Sequence, residues 1–343
     1  MSFGEQLALI IRFYTDLETS IGAVSRLKAF SENVKPESWE GETLVPPAEW
    51  PLHGAIEING VSAAYGDSED KDTTKNLALD NLHLTVAPGE KVAICGRSGS
   101  GKSSLLLLLL RLVDPLASTT TPPTPDEEEG KTIQPKLAPM AIDGLPLHAM
   151  SRPHLRRRII ALPQEPVFLP SGTPVQTNLD PHHSATAADC RAALEAVSLW
   201  PFIASRGGLD APLAPDTLSQ GQKQLFSLAR AIVRRRVRAR ERAAEFGSDY
   251  CGDLRDGGVL LLDEVSSSVD QETDEEMQRV IRAEFAAYTI VMVSHRLGMV
   301  MGFDRVVIMD AGRIVESGRP GELVEREGSR FRELWMVGNG GKG

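Results

Sequence analysis

Lys91-Val92-Ala93-Ile94-Cys95-Gly96-Arg97-Ser98-Gly99-Ser100-Gly101-Lys102-Ser103-Ser104-Leu105 is the stretch on which the fold turns. The apolar run Lys91 to Ile94 reads as a strand, and a leucine-rich helix opens at Lys102. Between them, Gly96 to Ser103 satisfies G-x-x-x-x-G-K-[ST] in the strand, loop and helix context that this pattern requires. Glycines let the backbone curl so that successive N–H groups point at phosphate oxygens, helped by the helix N-terminus. Lys102 is then placed against β- and γ-phosphates, and Ser103 beside Mg²⁺. The candidate contacts are Gly96, Arg97, Ser98, Gly99, Ser100, Gly101, Lys102, Ser103 and Ser104.

A triphosphate site needs a second half, an apolar strand ending in a carboxylate, because Mg²⁺ takes hard oxygen ligands. Val259-Leu260-Leu261-Leu262-Asp263-Glu264 supplies it. Asp263 suits the metal's water shell, and Glu264 suits a general base on the attacking water. Acids after a buried strand also serve as helix caps. Their partnership with the glycine loop favours the catalytic reading.

Working outward, Phe3 to Phe30 places Leu7, Ile10, Ile11, Tyr14, Leu17, Ile21, Val24 and Leu27 at helical spacing, which predicts one amphipathic helix over residues 1–31. Residues 32–53, with Pro36, Pro46, Pro47 and Pro51, read as a linker. Ala55 to Ile58 and Leu82 to Val86 read as strands before the loop. Beyond it, residues 118–139 are rich in Thr, Pro and acid and are expected to form a disordered insertion. Order should resume over Met140 to Leu147. A helical region is expected from Ala185 to Arg236, then a second insertion over 235–257 that includes a densely arginine-rich run. Strands at Val259 to Leu262 and Thr289 to Val293, and a hairpin over Arg305 to Val315 turning at Ala311-Gly312, complete an alternating α/β order with a mainly parallel sheet. Residues 336–343 read as a flexible tail.

Composition narrows the partners. The chain has 343 residues, 41% of them hydrophobic, and a formal net charge of −10. An acidic chain is a poor match for nucleic acid, which is gripped by clustered Lys and Arg. Cys95, Cys190 and Cys251 are scattered, so neither a disulfide framework nor a zinc site is suggested. Crossing a bilayer needs about 20 mostly apolar residues in a row, and no stretch here supplies them.

Five further landmarks lie in order along the chain, and together they resemble the ATP-binding cassette of ABC transporters. Leu218-Ser219-Gln220-Gly221-Gln222 looks like the family's signature motif, and Ser266-Ser267-Ser268-Val269-Asp270 like its D-loop. Gln164 resembles the Q-loop glutamine, His295 the switch histidine, and Tyr65 the aromatic that stacks on adenine. The resemblance covers about Gly54 to Leu334, giving a cassette over 54–335. It implies a P-loop NTPase core, an antiparallel β subdomain and an α-helical signature subdomain. It also implies ATP and Mg²⁺ as cofactors. Lys102, Glu264 and His295 would be catalytic, and Ser103, Gln164 and Asp263 would stand around the metal. Ser219 and Gly221 would complete a partner's nucleotide site, as two cassettes close head to tail around two ATP, and Gln222 would be nucleotide-binding with them.

A finer resemblance is to the second cassette of C-subfamily, multidrug-resistance-associated-protein type exporters. It rests on Leu155-Arg156-Arg157-Arg158-Ile159-Ile160-Ala161-Leu162-Pro163-Gln164, on Ser171-Gly172-Thr173, on Asn178-Leu179-Asp180-Pro181 and on Ser294-His295-Arg296-Leu297. Asp16 to Leu27 looks like the tail of the last transmembrane helix in such exporters. Residue 220, glycine in many cassettes, is Gln here. The expected function is ATP-driven export as the nucleotide-binding domain of a transporter, held at the cytosolic face of a membrane through partner domains, the chain itself being a fragment or truncated. A soluble, non-transport ABC ATPase and a non-hydrolysing fragment are the alternatives.

Overall fold

The computed structural model describes residues 3–34, 37, 41–65, 77–116, 139–246, 257–265 and 269–338. Within the expected insertions, 118–138 and 247–256 lie outside the described residues, as do Ser266 to Ser268 and residues 339–343. Two units are distinguished, 1–43 and 44–343. The first contains helix α1 (Phe3–Asn33), whose Leu7, Ile10, Ile11, Tyr14, Leu17, Ile21, Val24 and Leu27 are all exposed. Among the described residues no helix is long and apolar enough to cross a membrane.

The second unit alternates strands and helices. It begins with β1 (Ile56–Ala64), β2 (Leu77–Val86), β3 (Lys91–Gly96), α2 (Lys102–Leu109), β4 (Met140–Ile142) and β5 (Leu145–Pro146). Then come α3 (Arg152–Arg158), β6 (Ile160–Leu162), α4 (Val175–Leu179), α5 (Ala187–Ala196), α6 (Trp200–Ala204) and α7 (Gln220–Phe246). After them run β7 (Val259–Asp263), α8 (Gln271–Glu284), β8 (Thr289–Val293), α9 (Leu297–Val300), β9 (Arg305–Asp310) and β10 (Arg313–Gly318). The short helices α10 (Pro320–Glu325) and α11 (Arg330–Gly338) close the described chain.

The larger sheet has the order β10-β9-β3-β8-β7-β6. All its pairings are parallel except β9 with β10. Parallel strands covered on both faces read as unbroken apolar runs; all five residues of β8 and the first four of β7 are buried. Register sets Ile94 beside Val293 and Val293 beside Asp263. The C-terminal ends of β3, β8 and β7 therefore share one edge, where ligands of open α/β sheets bind. The smaller sheet, β2-β1-β4-β5, is antiparallel and shares a core with β3 and α2. A second core joins α5, α6, α7 and α8 to β6, β7 and β8, and a smaller third one packs α9, α10 and α11 against β3 and β9.

The C-terminal end of α2 is held by cations from α3, which favour a helix C-terminus. Arg156 donates to the Leu110 carbonyl at 2.9 Å and the Arg111 carbonyl at 2.7 Å. Arg152 pairs with Asp114 at 2.9 Å.

The helical region expected over 185–236 consists of α5, α6 and α7, with positive-φ Ser198 between the first two and Gly207, Gly208, Pro212 and Pro215 between the last two. Two expectations change. The expected insertion from 235 is helical as far as Phe246, and its arginines have structural partners. At four-residue intervals, Arg234 reaches the carbonyl of Arg157 (3.0 Å), Arg238 those of Arg158 (2.8 Å) and Pro51 (2.7 Å), and Arg242 those of Glu49 (2.8 Å) and Pro51 (2.7 Å). Arg235 and Arg236 pair with Glu284. Finally, the linker ends earlier than residue 53. Leu44 bridges Met150, and Trp50, only 3% exposed, donates its indole N–H to the Ile142 carbonyl at 2.9 Å.

Asp143 fixes the entry to β1. Its carboxylate accepts the N–H groups of His53 (3.0 Å), Gly54 (3.1 Å) and Ala55 (2.8 Å), and its own backbone is left-handed at φ 49°. Charge-assisted bonds of this kind are costly to remove, so Asp143→Ala should lower unfolding free energy by about 2–3 kcal/mol in urea titrations. Asp143→Asn, which tolerates this φ and keeps an acceptor, should lose less than half as much.

Candidate active site

A cleft of about 510 Å³ opens at the shared strand edge, between the loop that ends β3 and the residues after β7 and β8. Gly96, Gly99 and Gly101 have φ of 154°, 79° and 95°, values that L side chains rarely adopt. Space decides two of these positions. A Cβ on Gly101 would lie 2.6 Å from the Ala78 carbonyl oxygen, and one on Gly96 would collide with the Met309 carbonyl oxygen.

Lys102 is only 5% exposed and donates to the Arg97 carbonyl at 2.8 Å. Burial holds its ammonium below the ordinary lysine value, while the charges of Glu264, Cys95 and Asp263 act the other way. Ser103 donates its hydroxyl to Asp263 Oδ1 at 3.0 Å. Burial pushes the Asp263 carboxyl up, and neighbouring Glu264 adds to the effect. The Ser103 hydrogen bond and the charges of Lys102 and His295 oppose it.

Glu264 follows in a left-handed conformation, φ 47°, fixed by its N–H to the Val293 carbonyl at 3.1 Å. A bulky residue at positive φ stores strain, and such strain clusters at functional sites. Here it turns the carboxylate into the cleft, with Oε1 2.6 Å from His295 Nε2 and Oε2 accepting from Gln164 Nε2 at 3.4 Å. A carboxylate on this edge, braced from two sides, can take a proton from water. Tyr65, 60% exposed, shares a 2.8 Å hydrogen bond with the Ser104 hydroxyl.

The structure thus gathers Tyr65, Ser98, Gly99, Gly101, Lys102, Ser103, Ser104, Gln164, Glu264 and His295 around one cleft. Gly96, Arg97 and Ser100 shape the loop beneath, and Asp263 stands behind Ser103. Ser219, Gly221 and Gln222 are not among the lining residues. They form the first turn of α7, where Ser219 Oγ accepts the Gln222 N–H (3.1 Å) and Gln222 Oε1 the Ser219 N–H (3.0 Å). This reciprocal cap satisfies two otherwise orphaned donors. Gly221 lies against Thr273, whose Oγ1 would be 3.1 Å from an added Cβ.

Two positions escaped the sequence reading. Arg296 donates to the Val269 carbonyl at 2.7 Å, and Gln224 to the Gln164 carbonyl at 2.7 Å. Both act on distant backbone carbonyls, which leave no local pattern in sequence.

The hard oxygens of Ser103 and Asp263 fit a magnesium ion. Among the described residues no group of three or more His, Cys, Asp or Glu is disposed to hold a metal, so such an ion would take its other ligands from phosphate and water. Gln164, the third residue expected at the metal, points its amide nitrogen at Glu264 instead.

A glycine loop at the end of a parallel strand, with a carboxylate pair on the neighbouring strand but one, defines a P-loop nucleoside triphosphatase domain. Residues 79–237 match the family model described as ABC transporter. It is 50% identical to ABC-type transporter braE of Annulohypoxylon truncatum over 98% of this chain and 22% of that protein. Against ABC multidrug transporter B of Aspergillus fumigatus it is 38% identical, over 97% of this chain and 19% of that protein. The chain therefore spans about a fifth of the length of these relatives. A bacterial Atm1-family ABC exporter with ATP bound has the same fold, with a TM-score of 0.69 at 23% identity over 96% of this chain and 49% of that one.

Lys102 carries the sign of a testable stability effect. Burial holds its folded pKa below that of a free lysine, so the buried charge costs stability at pH below the folded pKa, and the penalty fades as pH rises through it toward the free-lysine range. Lys102→Met should raise the melting temperature of the nucleotide-free chain at pH 7 by about 2–4 °C, equivalent to about 1 kcal/mol. The gain should shrink by pH 10. Scanning calorimetry at the two pH values checks both parts.

Proposed function

We propose that this chain is the ATP-hydrolysing cassette of a membrane exporter, related to the second cassette of C-subfamily, multidrug-resistance-associated-protein type transporters. The observation that carries the reading is the placement of Glu264. Its carboxylate lies between His295 and Gln164 at the mouth of the cleft that holds Lys102 and Ser103.

In this reading the loop N–H groups and Lys102 hold the β- and γ-phosphates, and Tyr65 gives up its bond to Ser104 to stack on adenine. Ser103 and Asp263 would hold Mg²⁺, which would neutralise negative charge on the phosphates. Glu264 polarises the attacking water as general base, with His295 keeping its carboxylate oriented. Gln164 meets the γ-phosphate side of the cleft. Ser219, Gly221 and Gln222, which do not line this chain's own cleft, complete the site of a second cassette, head to tail. Closure of the pair supplies transition-state positioning that one cassette lacks. The names of the fungal relatives, all ABC transporters, support coupling to transport. Transmembrane partner domains would then hold the chain at the cytosolic face of a membrane.

Steady-state ATPase measurements on the chain mixed with a matching first cassette test the assignment. Glu264→Gln should reduce turnover by about 100-fold or more while ATP affinity stays within about threefold. Equal turnover in the two proteins would exclude Glu264 as the base.

A further inference from the structure

Gln224 is 5% exposed and is not among the residues that line the nucleotide cleft. Nε2 donates to the Gln164 carbonyl at 2.7 Å, while Oε1 is buried without a partner among the described residues. A buried glutamine with half its amide unmet carries a cost, which sets apart the one bond it makes. That bond joins two pieces of the proposed machinery. Gln164 reaches Glu264 within the cleft, and Gln224 lies three residues along α7 from Gly221, on the same helix face.

The grip does not rest on one contact. Phe226 packs against Phe168 with ring centroids 5.4 Å apart, and Arg230 donates to the carbonyls of Val167 at 2.8 Å and Asn178 at 2.9 Å. These two fasten the downstream part of the loop after β6. Gln224 holds the backbone of the cleft residue itself, within two turns of the Ser219–Gln222 cap.

We propose that Gln224 is a positioning residue that makes the Gln164 loop and the first turn of α7 move together. A γ-phosphate met by Gln164 in this chain's own cleft is thereby reported to Ser219 and Gly221, the surface offered to a partner's nucleotide. The proposal rests on the shared-site reading above.

Hydrogen–deuterium exchange of the full chain, with and without Mg²⁺ and the non-hydrolysable analogue AMP-PNP, tests it. In the unsubstituted chain the analogue should slow exchange over residues 96–104, 163–169 and 219–226. Gln224→Met and Gln224→Glu preserve side-chain length and, at neutral pH, remove the donor. Both should bind AMP-PNP within about threefold of the parent and keep protection at 96–104. The response at 219–226 should fall at least about fivefold. A purely structural role would raise exchange equally in both states and leave the nucleotide-dependent difference intact, which would overturn the proposal. So would a loss of AMP-PNP affinity beyond about tenfold, because Gln224 would then be shaping the cleft. Absence of protection at 96–104 in the unsubstituted chain would instead overturn the nucleotide reading beneath it.

Discussion

Gly96 and Gly101 leave no room for side chains, and much of the structure follows from what crowds them. The Met309 carbonyl on β9 bears on Gly96, and the Ala78 carbonyl on β2 bears on Gly101. The turn of the β9–β10 hairpin fills the space between: the Gly312 N–H donates to the Ser100 carbonyl at 3.1 Å, and the Gly312 carbonyl accepts from Asp80 at 3.0 Å. The phosphate loop is therefore clasped by two segments far apart in sequence, β2 of the smaller sheet and the β9–β10 hairpin of the larger one. A loop whose donors converge on an anion without reorganising needs this external scaffold.

The same crowding sets the electrostatics. Lys102 and Asp263 are shifted in opposite directions from their ordinary values by one cause, burial, which disfavours the charged form of each. Phosphate oxygens beside Lys102 and a divalent cation beside Ser103 and Asp263 would favour both charged forms, so binding would relieve what folding imposes. Glu264 is held differently, by a strained backbone and two side-chain contacts, which suits a group that must act on water while its neighbours grip phosphate.

What the sequence made legible was whatever depends on neighbours along the chain. The loop was read from its glycines and Lys102, β7 and β8 from their unbroken apolar runs, and the β9–β10 hairpin from Ala311-Gly312. The convergence of Lys102, Ser103, Gln164, Glu264 and His295 on one cleft followed from motif order. A place for Ser219 and Gly221 outside that cleft was implied by resemblance alone. Features settled by distant partners were read wrongly or missed. The arginine run at 234–242 resembles a loop in composition, yet it is helical because carbonyls at Glu49, Pro51, Arg157 and Arg158 and the carboxylate of Glu284 receive its guanidiniums. Trp50 sits in a proline-rich stretch that reads as linker, yet the Ile142 carbonyl, 92 residues away, and burial in the core beside β1 fix it to the domain. Gln224 left no signal because its partner is a backbone carbonyl.

The central claim is that this cleft grips a nucleotide chiefly through its β- and γ-phosphates. Isothermal titration of the full chain with ATP, ADP and AMP, each with excess Mg²⁺, measures this directly. Saturable binding of ATP and ADP, with AMP weaker by about 100-fold or more, is the predicted result; AMP binding as tightly as ATP, or no saturable binding of ATP, would contradict it.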